Sequence, residues 1–294
     1  MGEGNSILAR RRLGKYLRDG RVGAGLTLQQ TGASIRRSAS TVQRLEKGLP
    51  AQVRDAEIEA LCRIYEFDAD KTAVVLALAA ESDEIDWWSE YQDLMSRTVA
   101  TFVACEATAS EITSYEGQLV PGLLQTPAYA LTLVRTACPD ESVETHERRI
   151  RLRKRRQTCL IRDDDPVMFD VLIHESIVRS WVGGPVVMAE QCQHLADMSI
   201  RSNITLRVLP FSAGYPLGRE DGPFVILDFD TDLPGRPTET SLVFYETFTR
   251  EMCLAEPALI RKQREAYATL RRRALDPEAT RELLLQAAAR FRAE

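Results

Sequence analysis

The stretch Thr27–Gly48, TLQQTGASIRRSASTVQRLEKG, decides how this chain is read. Thr27 has the character of an N-cap, opening a short helix that runs to about Ile35. Arg36 and Arg37 make a tight turn, Ser38 caps a second helix over Ala39–Lys47, and Gly48 is its left-handed stop. Two short helices joined in this way form a helix-turn-helix, whose second helix enters the DNA major groove. At about 100° per residue, Val42 and Leu45 point toward a core. Ser40, Gln43, Arg44 and Lys47 fall on the opposite side, with no acid among them. Arg pairs bidentately with guanine, Gln with adenine and Ser with either, and a terminal Lys suits a phosphate. The plainer alternative is a solvated face on a small helical bundle; agreement of caps, turn spacing and charge favours the motif.

Leu26-Thr27 and the run Ser40-Thr41-Val42-Gln43-Arg44-Leu45-Glu46-Lys47-Gly48 resemble the phage-repressor (Xre) class of DNA-binding domains. In that class the start of the recognition helix and a residue one turn later read bases. The resemblance therefore nominates Ala39, Ser40 and Arg44, to which the helical angle adds Gln43. Thr41 and Lys47 lie nearer the backbone and, with Thr27, Arg36 and Arg37, are the phosphate candidates. Two positions depart from the class. Arg36 stands where Gly is usual, at a place favouring φ > 0. Thr31 stands where a buried aliphatic is usual.

The chain of 294 residues, 44% hydrophobic, is long enough for two domains with real cores. No window of ~18 apolar residues predicts a membrane span. The N-terminal MGEGNSILARRR has charge but no apolar run behind it, so it does not read as a secretory signal. The six cysteines are scattered with no CxxC pair and read as small buried hydrophobes in a reducing cytoplasm. Charge is divided unevenly. Residues 1–50 carry ten Lys/Arg against three Asp/Glu, although the whole chain is −5. A basic head on an acidic body suits phosphate only at the head.

The pattern predicts five helices in a lambda-repressor-like domain, 1–81. The first runs Ile7–Val22 with Leu8, Leu13, Leu17 and Tyr16 inward; Asp55–Tyr65 and Asp70–Ala80 follow the helix-turn-helix and a bend at Leu49-Pro50. Ser82–Asp86 is an acidic connector, and Trp87-Trp88 reads as a hydrophobic anchor. The body, 82–294, is expected to be a larger mixed α/β domain with closing C-terminal helices, giving an α+β class overall. Its expected strands are Ser110–Glu116, Val167–His174, Thr205–Pro210, Phe224–Phe229 and Ser241–Tyr245, with a short one at Arg250–Leu254. Its expected helices are Leu123–Thr136, Glu144–Leu160, Met188–Ile200, Pro257–Leu275 and Pro277–Phe291, the last two with Pro in the first turn.

The body carries a second resemblance. Glu106, Tyr115-Glu116, Gln118–Thr126 (QLVPGLLQT), Tyr129-Ala130, Val208–Gly214 (VLPFSAG) and Asp221–Phe224 (DGPF) are similar to the actinobacterial WhiJ-type regulators. Those are Xre-class heads fused to a conserved domain of undefined biochemistry. The resemblance implies an antitoxin-like transcriptional regulator, often beside a small partner protein.

Other constellations read structurally. Arg148, Arg149, Arg151, Arg153, Lys154, Arg155 and Arg156 crowd one helix, and an ion-paired or solvated face is favoured over a second nucleic-acid patch. Asp228, Asp230, Asp232 and Glu239 mimic EF-hand spacing, but Leu233 occupies the place that requires Gly. His146-Glu147 and His174-Glu175 lack the second His of HExxH, and no zinc-finger spacing, GxSxG, P-loop or GxGxxG occurs. Neither a metal nor a cofactor is expected, and no enzyme is read. Tyr115, Pro121, Gln125, Phe211, Tyr215 and Phe224 are the candidate ligand or partner surface of the body, near strand ends where pockets form. The expected function is a cytoplasmic, sequence-specific regulator that binds double-stranded DNA as a homodimer and receives a signal through its body. Two alternatives remain: an antitoxin-type protein that neutralises a small protein encoded nearby, and an enzyme localised by its head.

Overall fold

A computed structural model describes residues 6–48, 54–82, 87–162, 165–219, 222–229 and 241–294. The chain divides into two units, Met1–Glu90 and Tyr91–Glu294. The cut falls inside the 3-10 turn Trp87–Leu94. The expected bend at Leu49-Pro50, the connector residues 83–86 and the EF-hand-like residues 230–239 lie outside the described residues, as does the side chain of Leu8.

The first unit is built from α1 (Ser6–Gly23), α2 (Leu28–Ser34), α3 (Ala39–Glu46), α4 (Asp55–Ile64) and α5 (Ala69–Ser82). The apolar residues expected to face inward do so. Leu13 and Leu17 of α1, Val42 and Leu45 of α3, Ile58, Leu61 and Cys62 of α4, and Val75 and Leu78 of α5 form one buried cluster. Tyr16 packs against its rim. Thr31 is fully buried. Its hydroxyl neighbours that of Tyr65, yet neither completes a hydrogen bond.

The second unit is a six-stranded mixed sheet clad by helices. α6 (Arg97–Thr108) leads into β1 (Glu111–Glu116); α7 (Pro127–Ala137) and α8 (Val143–Ile161) then connect to β2 (Met168–His174). α9 (Pro185–Met198) leads to β3 (Ile204–Leu209), followed by β4 (Phe224–Asp228), β5 (Leu242–Glu246), β6 (Glu251–Leu254), α10 (Pro257–Arg271) and α11 (Pro277–Ala293). The strand order is β3-β2-β1-β4-β5-β6. β1, β2 and β3 are parallel neighbours, and β4, β5 and β6 add antiparallel pairings. Helical crossovers supply the parallel half, as its geometry requires.

Alternation along β1 sends Tyr115 to one face of the sheet. There it joins Leu172, Phe224, Val243 and, from α10, Ile260 and Tyr267 in a closed core. Ile112, Ser114 and Glu116 belong to the other face.

α6 is not among the expected helices, and two of the expected ones differ in their bounds. Leu123–Thr136 is broken: a 3-10 turn covers Gly122–Leu124, and α7 begins only at Pro127. Thr126 accepts the Tyr129 amide as N-cap, and Pro127 has no amide to give a preceding turn. The helix expected from Met188 starts at Pro185 for the same reason, behind Gly184 at φ 89°. Among the described residues no helix is long and apolar enough to cross a membrane.

Candidate nucleic-acid interface

The turn between α2 and α3 is fixed by local hydrogen bonds. Thr27 forms a reciprocal cap: its hydroxyl accepts the Gln30 amide at 3.2 Å, and its own amide donates to Gln30 Oε1 at 2.9 Å. Arg36 adopts φ 57°, the left-handed conformation that its place in the turn implied. The Arg37 amide then closes on the Gly32 carbonyl at 2.8 Å. Gly32 is required by this closure, because a Cβ there would lie 2.6 Å from the Arg37 carbonyl oxygen. Ser38 caps α3 by accepting the Thr41 amide at 3.2 Å. Its hydroxyl also meets those of Ser40 at 2.8 Å and Thr41 at 2.9 Å.

α3 therefore leaves with a defined orientation. Val42 and Leu45 are buried, while Ser40, Gln43, Arg44 and Lys47 are exposed. Ala39 and Thr41 are half-buried at the entry of the helix, and Thr27 and Arg36 are exposed beside it. The one acid of α3, Glu46, is withdrawn from this face. Arg21 of α1 holds it through Nε at 2.5 Å and Nη2 at 2.8 Å, and Arg21 Nη1 also donates to the Leu26 carbonyl. The close seat of α3 on α1 depends on Gly14, where a Cβ would stand 2.5 Å from the Leu45 carbonyl oxygen. Arg37 is engaged within the unit: its guanidinium donates to both Glu57 carboxylate oxygens, at 3.0 and 3.1 Å. That hydrogen bonding holds the Glu57 carboxyl below its ordinary pKa. Sequence reasoning missed both ion pairs, since neither partner is near in sequence.

The six candidates in the second unit do not form one surface. Tyr115 and Phe224 are buried, and Phe224 also reaches the wall of a cavity of about 490 Å³ shared with Pro121 and Gln125. Phe211 is half-exposed, its ring edge-on to His174 at 5.2 Å, and Tyr215 is largely exposed apart from it. The basic run on α8 is mostly ion-paired: Arg148 with Asp93, Arg149 with Glu141, Arg151 with Glu147 and Arg156 with Glu106. Among the described residues no three His, Cys, Asp or Glu side chains converge as metal ligands.

Comparison with known families agrees with both units. Residues 12–75 match a helix-turn-helix domain family. Residues 99–286 match the family described as Domain of unknown function (DUF5753). The chain belongs to the DUF5753 family. It couples that domain to an N-terminal helix-turn-helix, the element type that carries DNA binding. No curated protein and no solved structure matches the chain.

Proposed function

We propose that this protein is a sequence-specific transcriptional regulator of the Xre class and WhiJ type, acting in the cytoplasm as a homodimer without catalysis of its own. The observation that carries the reading is the outward face of α3. Ser40, Gln43, Arg44 and Lys47 are exposed together on a capped helix whose one acid is turned inward. Arg44 dominates base readout, Ser40 and Gln43 refine it, and Ala39 packs against the base edges. Thr27, Arg36, Thr41 and Lys47 hold phosphates; Arg37 reaches one only by sharing its guanidinium with Glu57. The body supplies dimer contacts and receives the signal, which shifts DNA affinity only by binding one state better than the other.

Footprinting on bound DNA together with light scattering tests the dimer. Two protected half-sites about one helical turn apart, with a dimeric mass, are expected. One half-site and a monomeric mass at binding concentrations would sink that part of the reading.

A further inference from the structure

The face of the sheet opposite α10 does not close. β1, β4 and β5 set Ser114, Val225 and Phe244 in one row by their registers, with Glu116 and Glu246 two residues further along their strands and so on the same face. Above this face lie α6, α8 and the turn 119–125, and between them is the cavity of about 490 Å³. That is the size of a small-molecule site. Val99, Phe102, Val103, Leu133, Leu152 and Phe244 give it largely apolar walls.

Its polar groups are few and unevenly satisfied. Arg149, Arg153 and Arg156 are spaced i, i+4, i+7 along α8, so all three line the cavity. The outer two are neutralised. Arg149 donates to both oxygens of Glu141 at 2.7 and 2.6 Å, and Arg156 to both oxygens of the buried Glu106 at 2.7 and 2.9 Å. Among the described residues, Arg153 between them forms no ion pair with a carboxylate. Its guanidinium donates from Nη1 to Gln125 Oε1 at 2.7 Å, and Gln125 is itself clamped by donating Nε2 to the Val120 carbonyl at 2.6 Å. A guanidinium has five N–H donors, and among the described residues this one uses a single donor on the protein. Burial, then repulsion from Arg156, pulls its pKa down only to about 10, so it stays charged at neutral pH.

Two further polar groups stand in the wall. Ser114 Oγ is buried with no hydrogen-bond partner. Glu116, half-buried at the end of β1, also lines the cavity. Burial, reinforced by Glu246, pushes its pKa up to about 8. At neutral pH it is therefore mainly a neutral carboxylic acid, able to donate a proton to an acceptor. Buried polar groups are ordinarily paired, and a cation drawn partly out of water favours an anion beside it. One acceptor-bearing occupant engages all three.

We propose that this cavity binds a small amphipathic organic anion, its carboxylate on Arg153 and its apolar body between α6, α8 and the sheet. Glu116 and Ser114 hydrogen-bond its acceptor oxygens. The competing acids Glu246 and Glu251 lie at the strand ends, Glu246 exposed and Glu251 accepting from the Ser96 hydroxyl. That such a ligand is the signal for DNA release rests on the regulatory reading above. Its binding does not, and a test without DNA keeps the two separate.

Calorimetry on the full chain with decanoate, decan-1-ol and decylammonium, each below its micellar concentration at pH 7, is the test. Decanoate is expected to bind saturably at one site per chain and more tightly than the alcohol. Arg153→Met weakens decanoate tenfold or more, as loss of a charge-assisted hydrogen bond does, leaves the alcohol within about threefold, and Arg153→Lys restores part of the loss. Equal affinity for acid and alcohol, a preference for decylammonium, no saturable binding, or an unchanged Arg153→Met variant would each overturn the proposal. Should circular dichroism show Arg153→Met unfolded, Val99→Trp decides. Filling the cavity from α6 abolishes decanoate binding if the site is there, and unchanged binding overturns it.

Discussion

Arg21 in α1 grips Glu46 at the end of α3 through two parallel hydrogen bonds, at 2.5 and 2.8 Å, with both side chains largely covered. The geometry is the bidentate one in which Arg is strongest. It fixes the pitch of α3 against α1 and clears the outward face of negative charge. The pair sits in a thin five-helix unit, so it is worth less than the roughly 3–5 kcal/mol of a deeply buried pair. Glu46→Ala is expected to cost about 2 kcal/mol in urea denaturation, because it leaves Arg21 uncompensated. Arg21→Met combined with Glu46→Met should recover part of that loss.

Gly14→Ala pits two effects of opposite sign against each other. Alanine is the better helix former by about 1 kcal/mol. The new Cβ, however, meets backbone on the facing helix, 2.5 Å from the Leu45 carbonyl oxygen and 2.9 Å from that of Glu46. Backbone cannot swing aside as a side chain can, and such overpacking costs roughly 1–3 kcal/mol. A lowered thermal midpoint is expected, together with weaker DNA binding as α3 is pushed off α1. A raised midpoint would mean the two helices are not seated so closely.

Arg36→Gly separates stability from recognition. At φ 57° an L-residue carries strain that glycine lacks. The variant should gain up to about 1 kcal/mol in denaturation. It should also lose one phosphate contact, reducing the slope of log K against log salt by about 1. Lower stability would show that the arginine side chain, not the backbone, holds the turn.

The Glu116 carboxyl, raised from an ordinary 4.5 to about 8, takes up protons on folding between those values. Its contribution to stability is full below about pH 4.5 and is lost as pH rises through about 8. Glu116→Gln removes that dependence. The stability of the variant relative to the natural chain is expected to grow with pH across this window, by on the order of a few kcal/mol in all. Denaturation at a series of pH values measures it, and parallel profiles for the two proteins would contradict the burial of this group.

The helix-turn-helix was legible in the sequence because its determinants are local. Thr27 and Ser38 act within three residues of themselves, and the 3.6 period separates Val42 and Leu45 from Arg44 without knowledge of any other helix. The strands were legible for the same reason, through alternation. The break before Pro127 and the early start of α9 were missed where an apolar run hid a cap and a first-turn proline. Glu46 and Arg37 looked free because their partners, Arg21 and Glu57, are about twenty or more residues away. The cavity was invisible. The spacing of Arg149, Arg153 and Arg156 was readable, but which of them lacked an acid depended on Glu106 and Glu141 being brought to α8 by folding.

The most direct test of the account is fluorescence anisotropy of the full chain on the DNA upstream of its own gene. It is run at fixed salt against scrambled DNA, with Arg44→Ala beside the natural chain. The account predicts tight binding to the first DNA only, weakened by about 1–3 kcal/mol in the variant with specificity relaxed. Specific binding that Arg44→Ala leaves untouched would contradict the claim that the outward face of α3 reads the bases.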